Sequence, residues 1–148
     1  MIVNKYSIVV PVFEKKENFI SFYENVKNVL SKYQNIDFIF VNDGNDYKLE
    51  EIVDENSNNI TLINNIKNLG YGASIKRGVE VSNNEVIGII DSDNSYDLNH
   101  LVILFDKFHE NKCDLLVGKR KFKYKDSYFK VTFRKIINFL STLIFKFK

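Results

Sequence analysis

A single cysteine, Cys113, leaves the sequence with no internal disulfide framework and no cysteine-built zinc site, and it favours a reducing, cytoplasmic setting. No run of about 18 apolar residues is present that would span a bilayer as a helix. The one proline, Pro11, closes the short apolar run of the opening MIVNKYSIVVPVF, and no small-residue cleavage site follows. That stretch reads as a first strand and not as a signal peptide. Glycine is scarce, and no G-x-x-x-x-G-K-[ST] phosphate loop occurs. Gly70-Tyr71-Gly72 opens like a dinucleotide fingerprint, but Ile75 stands where the third glycine belongs and the motif follows the third predicted strand, not the first. The two histidines, His100 and His109, lie on or beside one predicted helix, so no Cys–His or Ser–His constellation for nucleophilic catalysis is in view. Repeats, low-complexity tracts and interdomain linkers are also missing.

What remains is the composition of one globular domain: 148 residues, 45% hydrophobic and 27% charged. Apolar runs at Tyr6–Val12, Ile36–Val41, Ile60–Ile63, Val86–Ile90 and Cys113–Val117 predict five strands, of which IDFIFV and CDLLV each carry one acid. Between them, apolar residues at helical spacing predict helices over Glu17–Tyr33, Lys48–Glu55, Ala73–Val81 and Leu98–Glu110, with a last one from Phe129 onward. Strands alternating with helices at this spacing predict an α/β fold, a mostly parallel sheet with helices on both faces. In such sheets ligands sit beyond the carboxyl ends of the strands, where strand order reverses. Clusters of polar and turn-forming residues fall at all five of those ends, at Pro11–Glu14, Asn42–Asn45, Lys67–Gly72, Asp91–Ser95 and Gly118–Arg120.

The fourth of these is the most telling. VIGII runs straight into Asp91-Ser92-Asp93, so an apolar strand delivers two carboxylates to its own end. Charges there need a cation or hydrogen-bond donors, and paired carboxylates suit Mg²⁺ or Mn²⁺. Two readings of the pair are open on spacing alone: a metal–phosphate site, or caps for the loop and the next helix. Charge is also unevenly distributed. Residues 118–148 hold ten Lys or Arg and one acid, Asp126, so this segment carries +9; with +2 overall, the first 117 residues carry −7. A basic appendage of this kind meets phosphates, lipid headgroups or nucleic acid.

In their order along the chain, SIVVPVFEKKEN, FVNDGN, NLGYGASIKRGVEVSNNEVIGIIDSDNSYD and DLLVGKRKFKYKDSYFKVTFRK resemble the inverting family 2 glycosyltransferases of the GT-A fold. Within them they are similar to the branch of dolichyl- or polyprenyl-phosphate sugar synthases. The resemblance implies a nucleotide-sugar donor whose diphosphate is held by an Asp-x-Asp motif and Mg²⁺ or Mn²⁺, and a lipid-phosphate acceptor. Pro11 and Phe13, with Glu14 beside them, match the loop that contacts the nucleotide, Asp43 the acid that hydrogen-bonds the base, and Gly70 and Gly72 the backbone along the donor. Asp91, Ser92 and Asp93 match the donor and metal motif, with Ser95 as a further metal-side residue, and Asp93 and Arg120 are the implied catalytic pair. Asn42 replaces a common Asp, and Glu14-Lys15 a common Asn-Glu.

The resemblance further implies a donor-binding domain over residues 1–122, a basic loop and amphipathic helix over 123–148, and an acceptor-binding half that this chain does not reach. Transfer by these residues alone is then expected to be poor, because orienting both reactants accounts for roughly 7 kcal/mol or more of rate enhancement. A partner-dependent nucleotide-sugar-binding fragment stays open as a second reading. Nucleic-acid binding by the tail is disfavoured, because its aromatics fall at helical spacing. Phe133, Ile136, Ile137, Leu140, Ile144 and Phe147 form one apolar stripe with basic residues at both ends, suited either to packing on further protein or to an anionic membrane surface. The expected location is the cytoplasm, at the membrane's cytoplasmic face if the stripe meets lipid. Flotation with anionic vesicles at low salt tests this: the full chain should bind and a chain ending at residue 128 should not, whereas equal behaviour assigns the stripe to a protein core.

Overall fold

The computed structural model describes residues 5–54 and 57–118. In chain order they form β1 (Tyr6–Val12), α1 (Lys16–Leu30), β2 (Ile36–Asn42), a 3-10 turn at Leu49–Glu51, β3 (Ile60–Asn64), α2 (Tyr71–Val81), β4 (Val86–Ile89) and α3 (Leu98–Asn111). The chain divides into two compact units, Met1–Leu116 and Val117–Lys148, and the fold described is that of the first. The boundary expected after residue 122, Arg120 and the C-terminal helix lie outside the described residues.

The runs with the least polar character occupy the middle of the sheet. All four strands are parallel in the order β3-β2-β1-β4, so β1 and β2 are flanked on both sides and buried on both faces. Alternation with period two then sorts their side chains. Ile8, Val10 and Val12 of β1 and Ile36, Phe38 and Phe40 of β2 enter one core with Phe19, Phe22, Tyr23 and Val26 of α1 and Leu98 and Phe105 of α3. Phe40 receives Phe19 edge-on at 5.3 Å between ring centroids, and each such fully buried ring contributes about 1.5–3 kcal/mol. Val9, Ile39 and Val41 face the other way. There α2 lies close because Gly78 has no side chain: a β-carbon would stand 2.4 Å from a methyl of Val9. Helices thus cover both faces, as the apolar runs predict.

Three expectations change in the structure. The helix expected over Lys48–Glu55 is only the 3-10 turn Leu49–Glu51, anchored by the buried Leu49. The helix expected from Ala73 begins two residues earlier, at Tyr71, directly after Gly70. The fifth strand expected at Cys113–Val117 is not formed among the described residues. The run is interrupted by Asp114, and Leu115 is 78% exposed, so it buries no continuous apolar face.

Strand order, more than the strands themselves, positions the site. The chain steps outward from β1 to β2 to β3, then returns across β1 to place β4 on its other side. The reversal therefore falls between β1 and β4, the place where parallel sheets of this kind leave a crevice beyond the strand ends.

Candidate active site at the carboxyl ends of the strands

At that crevice lies an open cavity of about 470 Å³, lined by Pro11, Phe13, Glu14, Asp43, Asn68, Gly70, Tyr71, Asp91, Ser92 and Asp93. These residues come from the end of β1, the loops after all four strands and the first residue of α2. Of the residues singled out in the sequence, Gly72 and Ser95 are not among the lining, and Arg120 is outside the described residues.

The wall from β2 and β3 is built on Asp43. Its side chain is buried, yet both oxygens are met: Oδ1 accepts from the Leu69 N–H and from Asn65 Nδ2, each at 2.8 Å, and Oδ2 from the Gly70 N–H at 3.0 Å. Burial, the largest single influence, opposes ionisation, but the donors of Leu69, Asn65, Ser74 and Gly70 together outweigh it and hold the carboxyl below its ordinary 3.8. Asp43 is therefore ionised and acts first as the anchor of the Lys67–Gly70 loop. Asn65, also buried, relays the network: Nδ2 reaches Ser74 Oγ at 3.0 Å, and Oδ1 accepts from Arg77. Gly44 allows the loop to approach, since it sits at φ 81° and a β-carbon would fall 2.4 Å from the Asn68 nitrogen.

This anchoring has a pH consequence. A carboxyl with a lowered native pKa contributes stability that is present above its unfolded value and is lost as pH falls through the native one. The stability of the wild-type chain is therefore expected to fall below about pH 4 more steeply than that of Asp43→Asn, which will be less stable at neutral pH. Urea midpoints from pH 2.5 to 7 measure both; parallel acid limbs would contradict the assignment.

The other wall comes from β1 and β4. Ser92 is buried and donates to the Pro11 carbonyl at 3.3 Å, stitching the two loops together across the reversal. Phe13 leaves a 60% exposed ring at the rim. Behind it, Tyr47 donates to the Glu14 carbonyl at 3.0 Å; burial, then the charges of Glu14, Asp46 and Glu17, push its phenol up to about 12. Asp91 is half-buried and accepts at Oδ1 from the Tyr71 hydroxyl at 2.9 Å. Burial, then the hydrogen bond to Asp91 and its charge, push the Tyr71 phenol up to about 12. Asp93 is exposed and accepts from the Ser95 N–H at 2.8 Å, which closes a local turn. The helix that follows is capped by a different residue, Asp97, whose side chain accepts from the Asn99 N–H. Asn94, at φ 57°, bonds to Asn25 and Ser21 of α1 and fixes the loop from outside.

A neighbouring depression of about 550 Å³ lies at the β2 and β3 ends, around Asn42, Asn45, Tyr47 and Asn64. Its amides are engaged with one another: Asn42 bonds to Asn45, Asn64 and the Tyr47 carbonyl, and Asn45 to the Val12 carbonyl. Asp46 and Glu50 also line it, with Glu50 Oε1 accepting from Asn64 Nδ2, but it lies at the ends of β2 and β3 and not at the strand reversal.

Sequence reasoning passed over Tyr71, Asn65, Ser74, Arg77 and Asn94. For Tyr71 a signal was present, an aromatic at the first turn of a helix between two glycines. The asparagines look like any other turn formers until their partners 9 to 22 residues or more away are known.

Comparison with known proteins agrees with this geometry. The family model described as Glycosyl transferase family 2 matches residues 7–147. Glycosyltransferase GlyG of Streptococcus pneumoniae serotype 4 is 28% identical over 133 residues, which are 85% of this chain and 43% of that protein. The undecaprenyl-phosphate 4-deoxy-4-formamido-L-arabinose transferase of Proteus mirabilis is 27% identical over 148 residues, 95% of this chain and 44% of its own length. The chain thus spans less than half of either relative. The crystal structure of S. aureus TarS 1-349 shares the fold with a TM-score of 0.60 at 18% identity, over 82% of this chain and 40% of that one. A parallel sheet covered on both faces, a carboxyl-end crevice between β1 and β4, and a match over almost the full length together place the chain in glycosyl transferase family 2, with a fold of the GT-A type.

Proposed function

We propose that the crevice binds the diphosphate of a nucleotide sugar through Mg²⁺ or Mn²⁺, and that the chemistry served is transfer of the sugar to a polyprenyl-phosphate-type acceptor. The observation that carries this reading is the meeting of Asp91, Asp93, Asp43, Gly70 and the Pro11–Glu14 loop around one cavity at the strand reversal.

The residues fit such a cation. Among the described residues no group of three His, Cys, Asp or Glu is gathered for a metal. Mg²⁺ does not need one: it keeps several waters and takes one or two carboxylates together with substrate phosphates. Asp91 and Asp93 would supply those carboxylates, with Ser95 as a further oxygen close by. When bound, the cation neutralises charge on the diphosphate, including the charge that builds as it leaves. The protein's own part is to hold the two carboxylates on a stitched loop and to present the amino end of α2 beyond Gly70. A phosphate acceptor is already anionic, so no protein base has to remove a proton from it. The relative from Proteus mirabilis, whose name specifies undecaprenyl phosphate, supports the acceptor class. Contact of residues 129–148 with the cytoplasmic membrane face belongs to the same reading.

A second reading follows from the share of the relatives that is matched, 43% and 44%. In it these residues bind the donor, and acceptor-side residues from another source complete the enzyme. Incubation with radiolabelled UDP- and GDP-sugars, Mn²⁺ and polyprenyl phosphate separates the two. Label in the lipid fraction supports transfer by the chain itself. Saturable donor binding without label supports the second reading, and absence of donor binding overturns both.

A further inference from the structure

We infer that Tyr71 is a positioning residue for the cation: its hydroxyl orients Asp91 and so raises the affinity of the crevice for a divalent metal. This rests on the donor-site reading above, and it concerns a residue that sequence motifs pass over.

The geometry is specific. Tyr71 is the first residue of α2, and its hydroxyl donates to Asp91 Oδ1 at 2.9 Å, joining the start of α2 to the loop after β4. The ring is 55% exposed, so burial does not account for a tyrosine here. The side chain nonetheless ends on a directed hydrogen bond, and its backbone is placed by the preceding residue, because the Gly70 N–H is held by Asp43 Oδ2 at 3.0 Å. A continuous linkage thus runs from the end of β2, through Gly70 and Tyr71, to the carboxylate of Asp91.

A donor on Oδ1 fixes the rotation of the carboxylate and leaves Oδ2 to face a cation. Hydrogen-bonded partners of metal-ligating carboxylates commonly carry 10–100-fold in metal affinity, because they remove the cost of ordering the ligand at the moment of binding. Phenylalanine keeps the ring and removes only the donor. Tyr71→Phe is therefore expected to fold as the wild type does and to need about 10–100 times more Mn²⁺ for half-maximal nucleotide binding. At saturating Mn²⁺, nucleotide affinity should return close to the wild-type value.

The experiment titrates Mn²⁺ into the full chain and into Tyr71→Phe at fixed UDP, and in parallel at fixed GDP, with bound nucleotide as the readout and thermal melting as a check on folding. A shifted Mn²⁺ midpoint with recovered affinity at saturation supports the inference. An unshifted midpoint, or a loss of affinity that saturating Mn²⁺ does not recover, overturns it while leaving the donor site standing. Wild-type chain that binds neither nucleotide at any Mn²⁺ concentration overturns the donor-site reading, and the role of Tyr71 with it.

Discussion

Gly44→Ala is expected to lower stability by about 3 kcal/mol and to open the β2–β3 wall of the crevice. Two costs add. At φ 81° a β-carbon is in the left-handed region, which costs about 1–2 kcal/mol. The new carbon would also lie 2.4 Å from the Asn68 nitrogen and 2.5 Å from the Lys67 carbonyl carbon, both main-chain atoms that cannot rotate away. Overpacking of this kind costs about 1–3 kcal/mol. The segment that must move is the one held by Asp43 through Leu69 and Gly70, so the strain falls on those charge-assisted bonds. Against a total of about 5–15 kcal/mol for a domain, this is a large fraction. Urea unfolding should show a lower midpoint with an unchanged slope, and nucleotide affinity should fall in the same variant. A midpoint within error of the wild type would mean that the close approach at Gly44 is not what holds the loop.

Asp93→Ala is expected to reduce Mn²⁺-supported nucleotide binding by at least about 100-fold, more than the 10–100-fold typical of partners one step removed from a metal. Without a cation, Asp91 and Asp93 repel a diphosphate, and each unit-charge pair at about 4 Å costs roughly 4 kcal/mol near a protein surface. Removing one carboxylate weakens the cation and leaves its neighbour to repel. Alanine also removes the acceptor for the Ser95 N–H at 2.8 Å, so Asp93→Asn is the cleaner variant. Its amide oxygen keeps that turn while the charge is gone. If both variants lose Mn²⁺-dependent binding, the charge is what matters; if only alanine does, Asp93 serves the loop and not the metal.

How much of this was legible beforehand varies with the range of the interaction. β1 and β2 could be read directly, because an apolar run with almost no polar position has to be covered on both faces. The crevice followed from them, since polar clusters at successive strand ends in a parallel sheet converge by topology. The fate of individual side chains was less accessible. Asp43 is visible in the sequence as a site residue, but its partners Leu69 and Gly70 are 26 and 27 residues away, and only the fold shows that they occupy both of its oxygens. Tyr71 was hidden for a related reason: its glycine neighbours suggested a purely main-chain role, while its hydroxyl finds Asp91 20 residues downstream. The run at Cys113–Val117 misled in the opposite sense, because a short apolar stretch becomes a strand only where its side chains are covered, and Leu115 is 78% exposed.

Calorimetric titration of UDP and of GDP into the 148-residue chain, once with Mn²⁺ and once with EDTA, tests the central claim most directly. If Asp91 and Asp93 hold a cation that bridges to the diphosphate, at least one of the two nucleotides binds saturably with Mn²⁺ and loses that binding in EDTA. Equal affinity under both conditions, or no binding of either nucleotide with Mn²⁺ present, would contradict the account.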